Sequence, residues 1–594
     1  MSALSALVRA YESRAREGKA PAFGFSQEKI GYLISLNEDG TPADKPIDLG
    51  NTEKKKRIVP LMAVPQPAKR TSGIAPNFLW DKTAYVLGVT AGEGKRTAQE
   101  HAAFRDLHLS QLKHTDDAGL LALRRFLEQW TPEQFETLEW PEEMKDENIA
   151  FTLESQRHSR IFIHDRPAAQ QIWTQLSAAG QKSEATCLVT GERGAIARLH
   201  PAIKGVRGAQ SSGASIISFN LDAFSSYGHE QGSNAPVSEH AAFAYTTMLN
   251  MFLERDSHNR VQIGDATTVF WAEAAEPGVA KMAEELGGLI MDAPPLPDAD
   301  TSLDEKAVAD ILERLSAGQM IGRFQPVLAE GVRFYVLGLS PNASRLSVRF
   351  YVEDDFGVIA KRYAAHHDRL KLEPPPRELH PSMWRMLLET APLRKSENIQ
   401  PNLAGEWMRA ILTDTPYPLT LLSSVIMRLR ADHQVTALRV AILKSVLIQN
   451  FGVEAPVSLD LTCKDPGYVL GRLFATYEQI QVAALGTKVN ATIRDKFYGS
   501  ASAQPRKVFR IIDANAVNHL SKIGKQSPGR RVNLEKQIGA IMELMSPAED
   551  PYPASLPERS QALFALGYYH QRNEAFRKHD TPETTGETEA GEAE

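Results

Sequence analysis

The densest chemistry in the sequence lies in one connection, Ile203-Lys204-Gly205-Val206-Arg207-Gly208-Ala209-Gln210-Ser211-Ser212-Gly213. Its three glycines let the main chain approach a ligand closely. Lys204 and Arg207 carry charge suited to phosphates, and Gln210, Ser211 and Ser212 can hydrogen-bond base edges. Polar density continues through Asn220, Ser225, Ser226, Tyr227, Gln231 and Asn234, ahead of a helix capped near Ser238. So much adaptable polar chemistry in one connection favours a binding role over a merely mobile loop. Upstream, Glu53-Lys54-Lys55-Lys56-Arg57 followed by Pro60, Pro65, Pro67, Lys69 and Arg70 forms a basic segment stiffened by proline. It could meet a groove or phosphates, but on its own it reads as an ordinary exposed hairpin.

Charge gives a second signal. The 594-residue chain carries a net charge of −6, so any basic surface has to be local. Between Lys488 and Lys536 stand eleven cations against three acids: Lys488, Arg494, Lys496, Arg506, Lys507, Arg510, Lys522, Lys525, Arg530, Arg531 and Lys536. Such a window can follow a nucleic-acid backbone with little base preference; the competing reading is a solvated helical face balanced by acids elsewhere in the fold.

Other constellations fail on inspection. Gly92-Glu93-Gly94-Lys95-Arg96-Thr97 invites a phosphate-loop reading. Its spacing from Gly88 is one residue too long, however, and Arg96 stands where a hydroxyl should hold magnesium. A capped surface helix is the better reading. His164-Asp165 and His366-His367-Asp368 have no further His or Asp at ligand spacing, so a structural role is expected and no metal or cofactor is assigned. No nucleophile-elbow motif occurs. The two cysteines, Cys187 and Cys463, are too few for a disulfide scaffold or a cysteine zinc site, and Cys187 reads as a buried strand residue.

The elements that must position these residues fall into two styles. Gly31–Leu36, Ala84–Gly88, Ser215–Phe219 and Val261–Ile263 read as strands, and Thr97–Ser110, Gly119–Trp130 and Ser238–Glu254 as helices. Val332–Gly338 and Arg345–Val352, joined around Pro341-Asn342-Ala343, read as a β-hairpin. Beyond Pro374-Pro375-Pro376 the pattern is helical: Trp384–Glu389, Leu403–Leu412, Leu419–Leu429, Thr436–Gln449, Gly467–Leu485 and Asn533–Met545. In the last of these, Leu534, Ile538, Ile541 and Met545 form one stripe. The expected fold is therefore α+β and multidomain, a mixed α/β N-terminal region followed by an all-helical C-terminal bundle. Boundaries are expected at 1–375, 376–455, 456–578 and an acidic disordered tail 579–594. The most apolar stretch, Val435 to Ile448, is interrupted by Arg439 and Lys444, so no membrane span is expected and the chain reads as cytoplasmic.

Several longer motifs resemble a known family. Asn77-Phe78-Leu79-Trp80-Asp81 followed by Tyr85-Val86-Leu87-Gly88 is similar to the N-terminal signature of the large subunit of the type I-C (Dvulg subtype) CRISPR Cascade complex. So is Cys187-Leu188-Val189-Thr190-Gly191 leading to His200-Pro201-Ala202-Ile203-Lys204-Gly205-Val206. The most specific block is Gln210-Ser211-Ser212-Gly213-Ala214, Ser218-Phe219-Asn220, Ser226-Tyr227-Gly228 and Asn234-Ala235-Pro236. Similarity continues through Phe334-Tyr335-Val336-Leu337-Gly338-Leu339-Ser340 and Gly471-Arg472-Leu473-Phe474.

The resemblance implies a non-catalytic subunit in antiviral defence. Its partners would be a crRNA-bound backbone with crRNA-processing subunits, small subunits, target double-stranded DNA and a recruited helicase-nuclease. The subunit would read the protospacer-adjacent motif and stabilise the R-loop, while the guide reads sequence by base pairing. Lys69, Arg70, Asn77, Lys204, Arg207, Gln210, Ser211, Ser212 and Asn234 would then meet the duplex, and the cations from Lys488 to Arg531 the displaced strand. The resemblance further implies a separate small subunit made by internal initiation, near Val469 here. Two rival classes stay open: a metal-dependent nucleic-acid-processing enzyme, and a purely structural subunit of a crRNA complex.

Overall fold

The run Tyr32–Leu36 has no polar face, so it has to be covered on both sides, and it becomes an inner strand buried along its whole length. In the computed structural model, residues 2–574 are described apart from 54–55, 69, 71–72, 179–182, 292–312, 315–330, 379, 487–489, 547 and 549. The expected tail 579–594 lies outside the described residues, as do Lys69 and Lys488. The fold is α+β, with mixed sheets in the N-terminal region and helices in the C-terminal region. The chain forms two compact units, Met1–Ile203 with Ile217–Met251, and Lys204–Ile216 with Phe252–Glu594.

In the first unit a four-stranded sheet runs in the order Ile47–Asp48, Tyr32–Leu36, Asn148–Leu153, Asp81–Lys82. The two inner strands are parallel, joined by a crossover that contains helices Thr97–Gln111 and Ala118–Gln129. Phe126, Leu123 and Phe151 are buried in the core between these helices and the sheet. Phe25–Lys29 pairs with Leu61–Pro65, and Asn51–Glu53 with Lys56–Ile58. Ala84–Gly88, expected as a strand, is instead the short buried helix Thr83–Val86 followed by Leu87. A brief all-apolar run carries no period, and here the strand stops at Lys82.

The second unit begins with an antiparallel meander, Arg260–Ile263, Ala266–Glu273, Arg333–Asn342 and Arg345–Asp355. The hairpin expected around Pro341-Asn342-Ala343 is present, with Ala343 at φ +53° in the turn. Ser215–Phe219, expected as a strand, contributes only Ser215, which bridges Arg345; the rest is irregular. The polar residues on either side leave too few alternating apolar positions for a longer ladder.

From Phe356 onward the unit is helical, and one hydrophobic core runs from Ile263 in the sheet to Tyr569 near the C-terminus. The tightest contact joins helices Pro466–Leu485 and Glu558–Glu574. A Cβ at Gly471 would lie 2.1 Å from the Phe564 carbonyl, and one at Gly567 2.2 Å from that of Tyr468. Glycine at both points lets the two backbones touch, and the Tyr468 hydroxyl meets His570 Nδ1 at 2.9 Å beside them. A second polar anchor is Glu389, fully buried, which receives Arg385 at 2.8 Å, Arg394 at 3.1 Å and the buried Arg439 at 3.1 Å.

Candidate nucleic-acid interface

The loop after Ile203 belongs to the second unit and is fastened at both ends. Gly205, at φ +89°, passes so close to Leu253 that a Cβ would sit 2.5 Å from its carbonyl oxygen. Val206 is buried, and the Arg207 N–H donates to Thr267 Oγ1 at 3.0 Å. At the far end the Gly213 N–H donates to the Gln210 carbonyl at 2.9 Å, and the Leu346 N–H reaches Ser215 O at 3.0 Å. Between these fixings Lys204, Arg207, Gln210, Ser211 and Ser212 are exposed. Arg207 forms no ion pair among the described residues. It borders a cleft of about 420 Å³ that also takes in Asp265 and Trp384. Neither residue is suggested by the loop sequence, because both come from elements far along the chain.

The other residues assigned to duplex contact are in the first unit and are engaged in its own structure. Asn77 is buried. Its side-chain oxygen accepts from the Ala68 N–H at 3.0 Å, and its own N–H donates to Asp81 at 2.8 Å. The Arg70 guanidinium pairs with the buried Asp81 carboxylate, donates to Ala75 O and lies 4.1 Å from the centre of the Tyr85 ring. Burial pushes the Asp81 carboxyl up, and the hydrogen bond from Arg70 opposes that rise. Asn234 organises its own loop by accepting from the Ser226 N–H and donating to the carbonyls of His229 and Gln231.

The basic window folds as three helices, Ile493–Ala503, Pro505–Gln526 and Pro528–Met542. Along the second, Val508, Phe509, Ile512, Ala516, Leu520 and Ile523 are buried. At 100° per residue they share one face, and Arg506, Lys507, Arg510, Lys522 and Lys525 project from the other, all exposed. On the third helix Leu534 and Ile541 are buried and Ile538 packs against the core, with Met545 packing just beyond the helix end. Arg530, Arg531 and Lys536 stay exposed. Arg494 differs: it is half-buried and pairs with Asp495 at 3.4 Å and with the buried Glu478 at 4.0 Å. Arg506 pairs with Asp550 at 2.7 Å and Arg531 with Glu535 at 2.8 Å. Lys496, Lys507, Arg510, Lys522, Lys525, Arg530 and Lys536 form no ion pair among the described residues.

The remaining constellations have structural partners. Lys95 pairs with Glu93 and Arg96 with Glu100 at the start of helix Thr97–Gln111. His164 is fully buried, and burial lowers its pKa to about 4. His366 meets the Tyr417 hydroxyl at 2.8 Å inside the core. His367 stacks on His380, a neighbour that sequence spacing does not reveal. Among the described residues no group of three or more His, Cys, Asp or Glu could hold a metal ion. Cys187 is buried, in the turn just after strand Glu184–Thr186. Burial pushes its thiol up, but the Ser238 N–H at 3.2 Å and the neighbouring hydroxyls outweigh that and bring it to about 7. No helix among the described residues is long and apolar enough to cross a membrane.

A mixed-sheet unit, a fastened polar loop and a helical bundle with an exposed basic face make up an α+β chain. A model of the family described as CRISPR-associated protein (Cas_Csd1) matches residues 7–576, and the chain belongs to that family. No curated protein matches the sequence.

Proposed function

We propose that the chain is the large subunit of a type I-C CRISPR Cascade complex, a non-catalytic subunit that engages target DNA. The loop Lys204–Gly213 reads the protospacer-adjacent motif on the duplex. Lys204 and Arg207 hold the backbone, and Gln210, Ser211 and Ser212 meet base edges. The helices from Ile493 to Met542 follow the displaced strand, the guide reads sequence by base pairing, and cutting is left to a recruited helicase-nuclease.

One observation carries this reading: seven cations that form no ion pair among the described residues face solvent from consecutive helices in a chain of negative net charge. Such a face favours a polyanion bound through phosphates. Asn77, Arg70 and Asn234 are assigned to the same duplex, with their hydrogen bonds inside the first unit fixing where they stand.

The test is competition binding by the assembled complex. Gln210→Ala should weaken discrimination of the adjacent motif by about 1–3 kcal/mol, whereas Lys204→Ala should weaken all duplexes alike. Unchanged motif preference across Gln210, Ser211 and Ser212 variants would remove the loop from motif reading. A chain that adds no DNA affinity to the complex would instead be an assembly subunit.

A further inference from the structure

A small cleft of about 200 Å³ opens where helices Pro466–Leu485, Ile493–Ala503 and Pro505–Gln526 meet. Its floor is apolar, with Tyr477 and Ile512 buried and Phe497 partly buried against the core. Tyr477 is fixed by donating to Asp513 at 2.8 Å, and Gln481 by accepting from the Ile493 N–H at 2.8 Å, so the walls are set in advance. Polar groups gather at the rim: Lys496 and Asn515 are exposed, and His519 is half-buried. None of the lining side chains is acidic. Lys522, one turn beyond His519, belongs to the open basic face already described.

We propose that this cleft receives one unpaired nucleobase of a bound single strand, stacked against Phe497, with its polar edge at Asn515 and His519 and its phosphate at Lys496. The inference rests on reading the basic helices as a nucleic-acid face. An apolar floor with an aromatic wall and cations beside it is the arrangement by which single strands are held without sequence preference. Burial, with Lys522 adding to it, lowers the His519 pKa, so the ring is neutral at pH 7. A neutral imidazole and an amide can each donate or accept, which suits any of the bases. At about 200 Å³ the cleft offers room for one flat ring and not for a peptide helix.

The test uses the full-length chain, a fluorescent single-stranded oligodeoxynucleotide, and an abasic strand of equal length, titrated over a range of salt. Phe497→Leu should weaken binding of the base-bearing strand by about 5- to 100-fold with the salt slope unchanged, because stacking releases no counterions. Phe497→Trp should restore it, and neither variant should differ from wild type on the abasic strand. Should Phe497→Leu disturb folding, Asn515→Ala, at an exposed position, provides the second variant and should weaken only the base-bearing strand. A 5-iodouracil strand should crosslink to Phe497 or His519. Equal affinities on the base-bearing strand, or equal losses on the abasic strand, overturn the cleft. A Lys507/Arg530 double alanine variant with wild-type affinity and salt slope would overturn the basic face itself.

Discussion

Arg57 and Arg70 in the first unit sit among carboxylates, whereas Lys507, Lys522, Lys525 and Arg530 on the C-terminal helices face water. Arg57 bridges Asp48 at 2.6 Å and Glu147 at 2.7 Å, and Arg70 closes on Asp81. These pairs draw strands and loops together, so the charge is neutralised where it arises. Among the described residues, only Arg506 and Arg531 on Pro505–Gln526 and Pro528–Met542 form ion pairs, leaving a field that extends into solvent. A local surplus of lysine and arginine is thus a poor guide to a binding surface until the acids that answer it have been located.

The contrast can be broken at its strongest point first. Glu389→Ala removes one of the two carboxylates that hold the buried Arg439, Asp432 at 2.7 Å being the other, and also strips Arg385 and Arg394 of a partner. It should destabilise the fold by about 3 kcal/mol in urea or thermal unfolding, the low end for a broken buried pair because Asp432 remains. DNA affinity per folded molecule should be unchanged. A variant of wild-type stability would mean that the buried network is not structural.

Next come the open cations. Alanine at Lys507, Lys522, Lys525 and Arg530 together should leave unfolding unchanged and lower affinity for all DNA targets. The log–log salt slope should flatten by up to about 0.7 per lost contact. Replacing the paired Arg506 and Arg531 should do less per residue, and a larger effect from that pair would reverse the distinction drawn here.

The third test concerns inward-facing groups in the first unit. His108 is buried. Its Nε2 accepts from the Leu79 N–H at 2.8 Å, so Nδ1 carries the proton and donates to Phe104 O at 2.7 Å. Burial lowers its pKa to about 4, with the bond to Phe104 opposing the fall. Between pH 6.5 and 4 the unfolded chain therefore binds the proton more readily than the folded one. Stability is full above about pH 6.5 and falls with acid, by on the order of 3 kcal/mol for this residue. His108→Gln keeps an acceptor without titrating and should flatten that part of the pH–stability profile. An identical profile would place the proton elsewhere.

The smallest expected effect is at Lys95 and Arg96. Their pairs with Glu93 and Glu100 are solvent-exposed on the cation side, so alanine at either should shift stability by less than about 0.5 kcal/mol and leave DNA affinity alone.

Much of the helical half was legible because amphipathic period and caps agree: Thr436 accepts from the Arg439 N–H, and Leu534 and Ile541 point into the core as their spacing implies. The β-hairpin was legible from its turn. Ala84–Gly88 was not, since a run of five residues has no reliable period. The candidate site was legible as residue types and charge density only. Which cations are answered depends on acids such as Asp81, Asp550 and Glu478, and pairing Arg506 with Asp550 or Arg494 with Glu478 is a product of tertiary folding. Asn77 and Asn234 show the same limit, because an amide that binds a ligand and one that holds a loop are written with the same residue.

The glycine contact between Pro466–Leu485 and Glu558–Glu574 has a consequence in time. The two helices are separated by some seventy residues of chain, and at about 5–20 residues per second a ribosome takes several seconds to deliver the second after the first. Until then Tyr468, Leu473 and Phe474, which end up fully buried, have no Phe564 or Tyr568 to cover them. The nascent bundle thus passes through a sticky interval during synthesis that closes only when Gly567 comes to rest on the Tyr468 carbonyl, and a chaperone has that interval in which to act.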